Sequence, residues 1–94
     1  MGLTLVDITT KEDALRYGVP ALGVYVVSAD TAQSKAAGFV SGDRILFIEG
    51  AVINSYDDVP LILSKLKIGE EITVTIARDG KMEKLNLTLQ EKRN

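Results

Sequence analysis

The clearest alternation of apolar and polar positions lies in the last third of the chain. Ile72, Val74 and Ile76 alternate with Thr73, Thr75 and Ala77, and Leu85, Leu87 and Leu89 alternate with Asn86, Thr88 and Gln90. A period of two gathers the large apolar side chains on one face of a strand. Between the two runs stands Asp79-Gly80, a dipeptide suited to the left-handed backbone that a two-residue turn requires. The pattern predicts a β-hairpin with one buried and one solvated face. Upstream, Leu3–Ile8 reads as a short strand. Gly23–Val27 reads as a second strand, too uniformly apolar to have a fully wet face. Arg44–Ile48 reads as a central strand entered through the turn Gly42-Asp43, and Glu49-Gly50 turns the chain into a stub at Ala51–Ile53.

Three segments carry helix punctuation instead. Thr9 or Thr10 can cap a brief helix Lys11–Tyr17 that Gly18 stops, with Asp13 three places after Thr10 in the spacing of a capping box. Val19-Pro20 then forces extended backbone. Ala32–Ala37, ended by Gly38, is a short helix of small residues. Ser55 and Asp58 repeat the capping spacing for a helix from Tyr56 to about Leu66, with Lys65 and Lys67 near its C-terminal end. On that helix Val59, Ile62, Leu63 and Leu66 serve the core, which leaves Tyr56, Pro60 and Leu61 as apolar surface beyond one stripe. Pro60 lacks an N–H, so an irregular first turn or a cap moved to Asp58 is expected. Strands do not alternate strictly with helices, and the terminal hairpin forces an antiparallel pair. The predicted class is α+β: a small antiparallel partial β-barrel of about five to six strands capped by two helices.

Composition narrows what such a domain does. Ninety-four residues make one domain, 1–94, with Glu91–Asn94 of linker composition and expected to fray. Lys+Arg 11 against Asp+Glu 13 gives a net charge of -2, which argues against a nucleic-acid partner. With no cysteine and no histidine, disulfides, an ordinary zinc site, a Cys–His pair and a Ser–His–Asp triad are all unavailable. The acid pairs Glu12-Asp13, Asp57-Asp58 and Glu70-Glu71 read as helix-start and loop charge, and no base accompanies any serine. Gly38–Gly42 lacks the lysine of a phosphate loop. The longest apolar run, Ala21–Val27, is far short of the roughly 20 residues of a membrane span. No enzyme activity, cofactor, metal, nucleic acid or membrane insertion is expected of this chain. What remains is surface geometry: Leu3–Ile8 opens the chain, carries neither proline nor lysine, and is a natural sheet edge open to an incoming strand.

The order of motifs resembles a PDZ domain. Gly23-Val24-Tyr25-Val26-Val27 is followed by Ala36-Ala37-Gly38, Ser41-Gly42-Asp43-Arg44-Ile45-Leu46 and Glu49-Gly50. After Ser55 come Lys67-Ile68-Gly69-Glu70, then Ile72-Thr73-Val74 running into Arg78-Asp79-Gly80-Lys81. The strand order is similar to the permuted form with the peptide-binding strand first. Together with Tyr17-Gly18-Val19-Pro20, this is most similar to the bacterial HtrA (Deg) trypsin-like serine proteases. The resemblance implies a module that captures extended, hydrophobic C-termini of protein substrates by β-strand addition, for an attached protease domain outside the cytoplasm. It implies that Met1, Gly2 and Leu3 hold the terminal carboxylate, that Thr4, Leu5 and Val6 pair with the ligand backbone, and that Leu3 and Leu5 face Tyr56, Pro60 and Leu63 across a groove. Tyr56 stands where PDZ classes that bind Ser/Thr motifs have histidine, which favours ligands chosen by apolar side chains. The chain starts at Met1, without the residues that open the family's carboxylate loop, as a piece of a longer protein would. Other envelope proteins use a similar fold, among them tail-specific proteases, site-2 metalloproteases and secretion components. A docking or oligomerisation domain is a further alternative.

Overall fold

A computed structural model describes residues 2–89. It orders them as β1 (Leu3–Ile8), α1 (Lys11–Tyr17), β2 (Gly23–Ala29), α2 (Ala32–Ala37), β3 (Arg44–Ile48), β4 (Ala51–Val52), α3 (Asp58–Leu63), β5 (Glu71–Arg78) and β6 (Lys81–Thr88). The strands form one antiparallel sheet in the order β1-β2-β3-β5-β6, with β4 paired to β3. β1 and β6 are the ends of that order, so the sheet is open. Three helices accompany it, one at each of the segments whose punctuation predicts a helix. Met1 and the tail Glu91–Asn94, with the fraying expected there, lie outside the described residues.

The terminal hairpin has the register that the alternation predicts. Ile72 pairs with Leu87, Val74 with Leu85, and Arg78 closes on Lys81. Asp79 at φ 52 and Gly80 at φ 78 are both left-handed, as a type I′ turn demands to match strand twist. Ile72, Val74 and Ile76 are buried together with Leu87.

Helix boundaries follow their caps. Thr10 Oγ1 accepts the Asp13 N–H at 3.1 Å, and Gly18 closes α1 in the left-handed region at φ 69. At α2 both halves of a capping box form between Thr31 and Ser34. α3 is shorter than the expected Tyr56 to Leu66. Its N-cap is Asp57 without a side-chain bond, and the Asp58 carboxylate instead accepts the N–H groups of Asn54 and Ser55. Pro60 thus falls in the first turn, where its missing N–H has no intrahelical acceptor to lose. Beyond Leu63 the chain tightens into three-residue turns, Lys65 N–H to Ile62 O and Leu66 N–H to Leu63 O.

Two apolar clusters occupy opposite faces of β1 and β2. Val24 and Val26 belong to the main core with Ile45, Ile48, Val59, Val74 and Ile76. Tyr25 points the other way, to Ile8 and Ala14 under α1. That second cluster is why β2 has no wet stretch at its centre. The turn Gly42-Asp43 is locked to β5: Asp43 is fully buried and accepts Arg78 Nε at 2.7 Å and a second guanidinium nitrogen at 2.6 Å. The Val40 N–H also donates to this carboxylate at 3.0 Å, and Arg78 reaches the Gly38 carbonyl at 2.7 Å. The hydrogen bonds to Asp43 hold the Arg78 guanidinium above its ordinary pKa. Every oxygen of the buried carboxylate is therefore paired, the condition under which burying it is tolerable.

Candidate functional site

Among the described residues β1 meets the sheet only through β2, which leaves one of its edges without a strand from them. Two anchors settle which backbone groups face that edge. Leu3 pairs with Ala29, and the bond that flanks this pair runs from the Asp30 N–H to the Gly2 carbonyl at 2.7 Å. On the far side of β2, Val26 donates to Asp43 O and accepts from Gly42 N, both at 2.8 Å, so neighbouring Tyr25 turns its own groups toward β1 and its partner Val6. Successive residues of a strand turn N–H and C=O to alternate edges. Leu3, Leu5 and Asp7 therefore present theirs to the open edge, while Thr4, Val6 and Ile8 bond to β2. A register shift between Thr4 and Leu5 accommodates Val27, the extra residue on β2.

The segment entering β1 is held from behind. Gly2 has φ 70, and a Cβ there would lie 2.5 Å from Thr31 Oγ1, so only glycine fits both the conformation and the space. Its carbonyl accepts a second bond, at 3.0 Å, from the fully buried Ser34 hydroxyl at the first turn of α2. A peptide unit points its C=O and the following N–H in opposite directions, so turning the Gly2 carbonyl inward aims the Leu3 N–H outward. Asp30 braces the same corner by accepting the hydroxyls of Ser28 and Thr4. Those two bonds, Ser28 first, lower the Asp30 pKa below its ordinary value.

The side chains of Leu3 and Leu5 are half-buried and pack on the main core, as do Ile62, Leu63 and Leu66 from α3 and its end. Asp7 lies on the same face, because its Oδ2 accepts the Tyr56 N–H at 3.3 Å. That bond places the entrance to α3 beside the far end of β1. Tyr56 and Leu61 are exposed, and Pro60 is exposed on the helix between them. Val6 faces the second cluster and Thr4 faces Asp30. Of the residues expected to line a groove, Leu3, Leu5, Tyr56 and Leu63 thus share one side of β1 with α3, and Met1 lies outside the described residues. Asp7 was not among them, although the period of two from Leu3 and Leu5 points to it. A cleft of about 710 Å³ opens elsewhere, between Tyr17–Ala21, Val40–Arg44 and Ala77–Gly80. An edge that takes up a strand has no need of such a cavity. Among the described residues no group of His, Cys, Asp and Glu could hold a metal, and no helix is long and apolar enough to cross a membrane.

The PDZ domain family model matches residues 1–89. The chain belongs to the PDZ domain family. This PDZ domain is 40% identical over 99 residues to the serine protease Do-like HtrB of Bacillus subtilis, an alignment that covers 95% of this chain and 21% of the relative. It is 44% identical over 46 residues to a putative zinc metalloprotease of Brucella suis, covering 49% of the chain and 12% of that protein. Among solved structures, the HtrA-type protease AlgW with a decapeptide superposes with a TM-score of 0.87 at 19% identity, over 99% of this chain and 29% of that one. The chain spans only about a fifth of the length of the first of these curated relatives and less of the second. A PDZ domain is a binding module, and the permuted strand order, with an open edge strand first, is the one this sequence folds into.

Proposed function

We propose that this PDZ domain captures extended hydrophobic C-termini of protein substrates by adding them as a strand to the free edge of β1. The observation that carries the reading is the open edge itself: Leu3, Leu5 and Asp7 offer unpaired N–H and C=O groups beside an apolar strip formed with α3. The ligand runs antiparallel to β1, its carboxylate held by amides of the Met1–Leu3 segment. The Leu3 N–H, aimed outward by the inward Gly2 carbonyl, is the first of those donors. Apolar side chains at the last and third-last ligand positions lie on the Leu3 and Leu5 face, opposite Tyr56, Pro60 and Leu63. Similarity to the HtrB serine protease supports a parent in which the module recruits substrate to, or regulates, an attached serine protease domain, and similarity to a probable periplasmic serine endoprotease of Marinomonas supports a location outside the cytoplasm. A second reading, a module of a zinc metalloprotease, is favoured by the Brucella relative. A His…Asp…Gly-x-Ser-Gly order upstream in the parent chain decides for the first.

An amide-shift titration with a short peptide ending in valine, repeated with its C-terminus amidated, tests the binding mode. Shifts at Gly2–Asp7 and along Tyr56–Leu63 that vanish on amidation are expected. Equal shifts with both peptides, or none with either, overturn carboxylate capture at this edge.

A further inference from the structure

The far end of β1 carries a charge that nothing in strand addition requires. Asp7 is the third of the residues whose backbone faces the open edge, and its half-buried carboxylate is turned to the α3 side, where one oxygen accepts the Tyr56 N–H at 3.3 Å. No ion pair within 4.0 Å engages it among the described residues. Resting on the binding mode above, the register of a ligand follows by counting. An antiparallel strand whose last residue lies opposite Leu3 puts its third-last opposite Leu5 and its fifth-last opposite Asp7. Directly opposed residues send their side chains to the same face, within reach of one another. The fifth-last side chain of the ligand is therefore the one that meets the Asp7 carboxylate, whereas the fourth-last points away.

We propose that Asp7 is a specificity-determining residue that selects C-terminal peptides with lysine or arginine at the fifth position from the end and disfavours those with an acid there. The cation approaches a carboxylate already held in place by the Tyr56 N–H, so little side-chain freedom is lost on the protein's side. The pair is partly solvated, so its contribution falls with added salt.

The test uses fluorescently labelled Gly-Ser-Gly-Lys-Ser-Val-Ser-Val, the same peptide with glutamate in place of lysine, and a third with lysine moved one place toward the C-terminus. Affinities are read by anisotropy at low and high salt. The first peptide should bind about fivefold tighter than the glutamate form, given an attractive cross-strand pair replaced by a repulsive one, and tighter than the shifted one. In Asp7→Asn, which keeps an oxygen for the Tyr56 N–H, the preference should collapse, and in Asp7→Lys it should reverse. Binding of all three peptides with equal affinity to the native domain overturns this inference and leaves the groove reading standing. A lysine preference that survives in Asp7→Asn also overturns it. Failure of every peptide to bind overturns both.

Discussion

Ser34 is a small residue with a consequence out of proportion to its size. Its hydroxyl is fully buried and bonds the Gly2 carbonyl across 32 positions of sequence. It also accepts the Thr31 N–H in the capping box of α2. One side chain thus closes a helix end and orients the peptide unit whose far side presents the Leu3 N–H. Replacing it by alanine removes a buried hydrogen bond, at a cost of about 1–2 kcal/mol, measurable by urea unfolding. A merely structural role would leave peptide selectivity alone. If Ser34 orients the carboxylate loop, Ser34→Ala also lowers the ratio of affinities for free over amidated peptide, and an unchanged ratio refutes that role. Gly2, from the other side of the same bond, admits no substitute, because Thr31 occupies the space of a Cβ.

Among the elements, the β5–β6 hairpin is the most self-sufficient. Its register is set locally, by two alternating runs and a turn in which Asp79 and Gly80 both adopt positive φ. Nothing lies within 4 Å of a Cβ built on Gly80, so the effect of a substitution there is conformational alone. Gly80→Ala should lower stability by about 1–2 kcal/mol, the left-handed penalty for an L side chain, with the fold and peptide affinity unchanged. A loss of binding in that variant would mean that the turn communicates with the β1 edge. α3 behaves differently. Its apolar stripe is legible in Val59, Ile62, Leu63 and Leu66, yet its start is displaced from Ser55 to Asp57. The reason is a competition for one carboxylate: Asp58 bonds the N–H groups of Asn54 and Ser55 and so holds the approach to the helix as a turn.

For the molecule as a whole, a single core on one face of the sheet bears the stability, with the second cluster under α1 as a supplement. Leu87 is 3% exposed near the C-terminal end of β6 and pairs with Ile72. Leu87→Asp buries a carboxylate with no partner, at a cost of several kcal/mol in a domain whose total stability is about 5–15 kcal/mol. It should unfold the protein, seen as collapse of amide dispersion. A folded Leu87→Asp domain would show that the core lies elsewhere. The pair of buried Asp43 with part-exposed Arg78 is another long-range tie, joining the loop before β3 to the end of β5.

The chain by itself determined whatever depends on near neighbours. Thr10 with Asp13 and Gly18 bounded α1 to the residue, Gly38 ended α2, and alternation oriented both hairpin strands. Hydrogen bonds three or four residues apart and a period of two leave their mark in consecutive residues. The motif order was likewise enough to point to the PDZ family. Tertiary structure alone decided that Asp43 needs Arg78, that Ser34 reaches Gly2, and that Asp7 joins Leu3 and Leu5 on the side of α3. These contacts join residues dozens of positions apart, and whether two such groups meet depends on how strands pair and cross. The open edge belongs to both levels: a first strand without proline or lysine permits it, and the order of the sheet leaves it free.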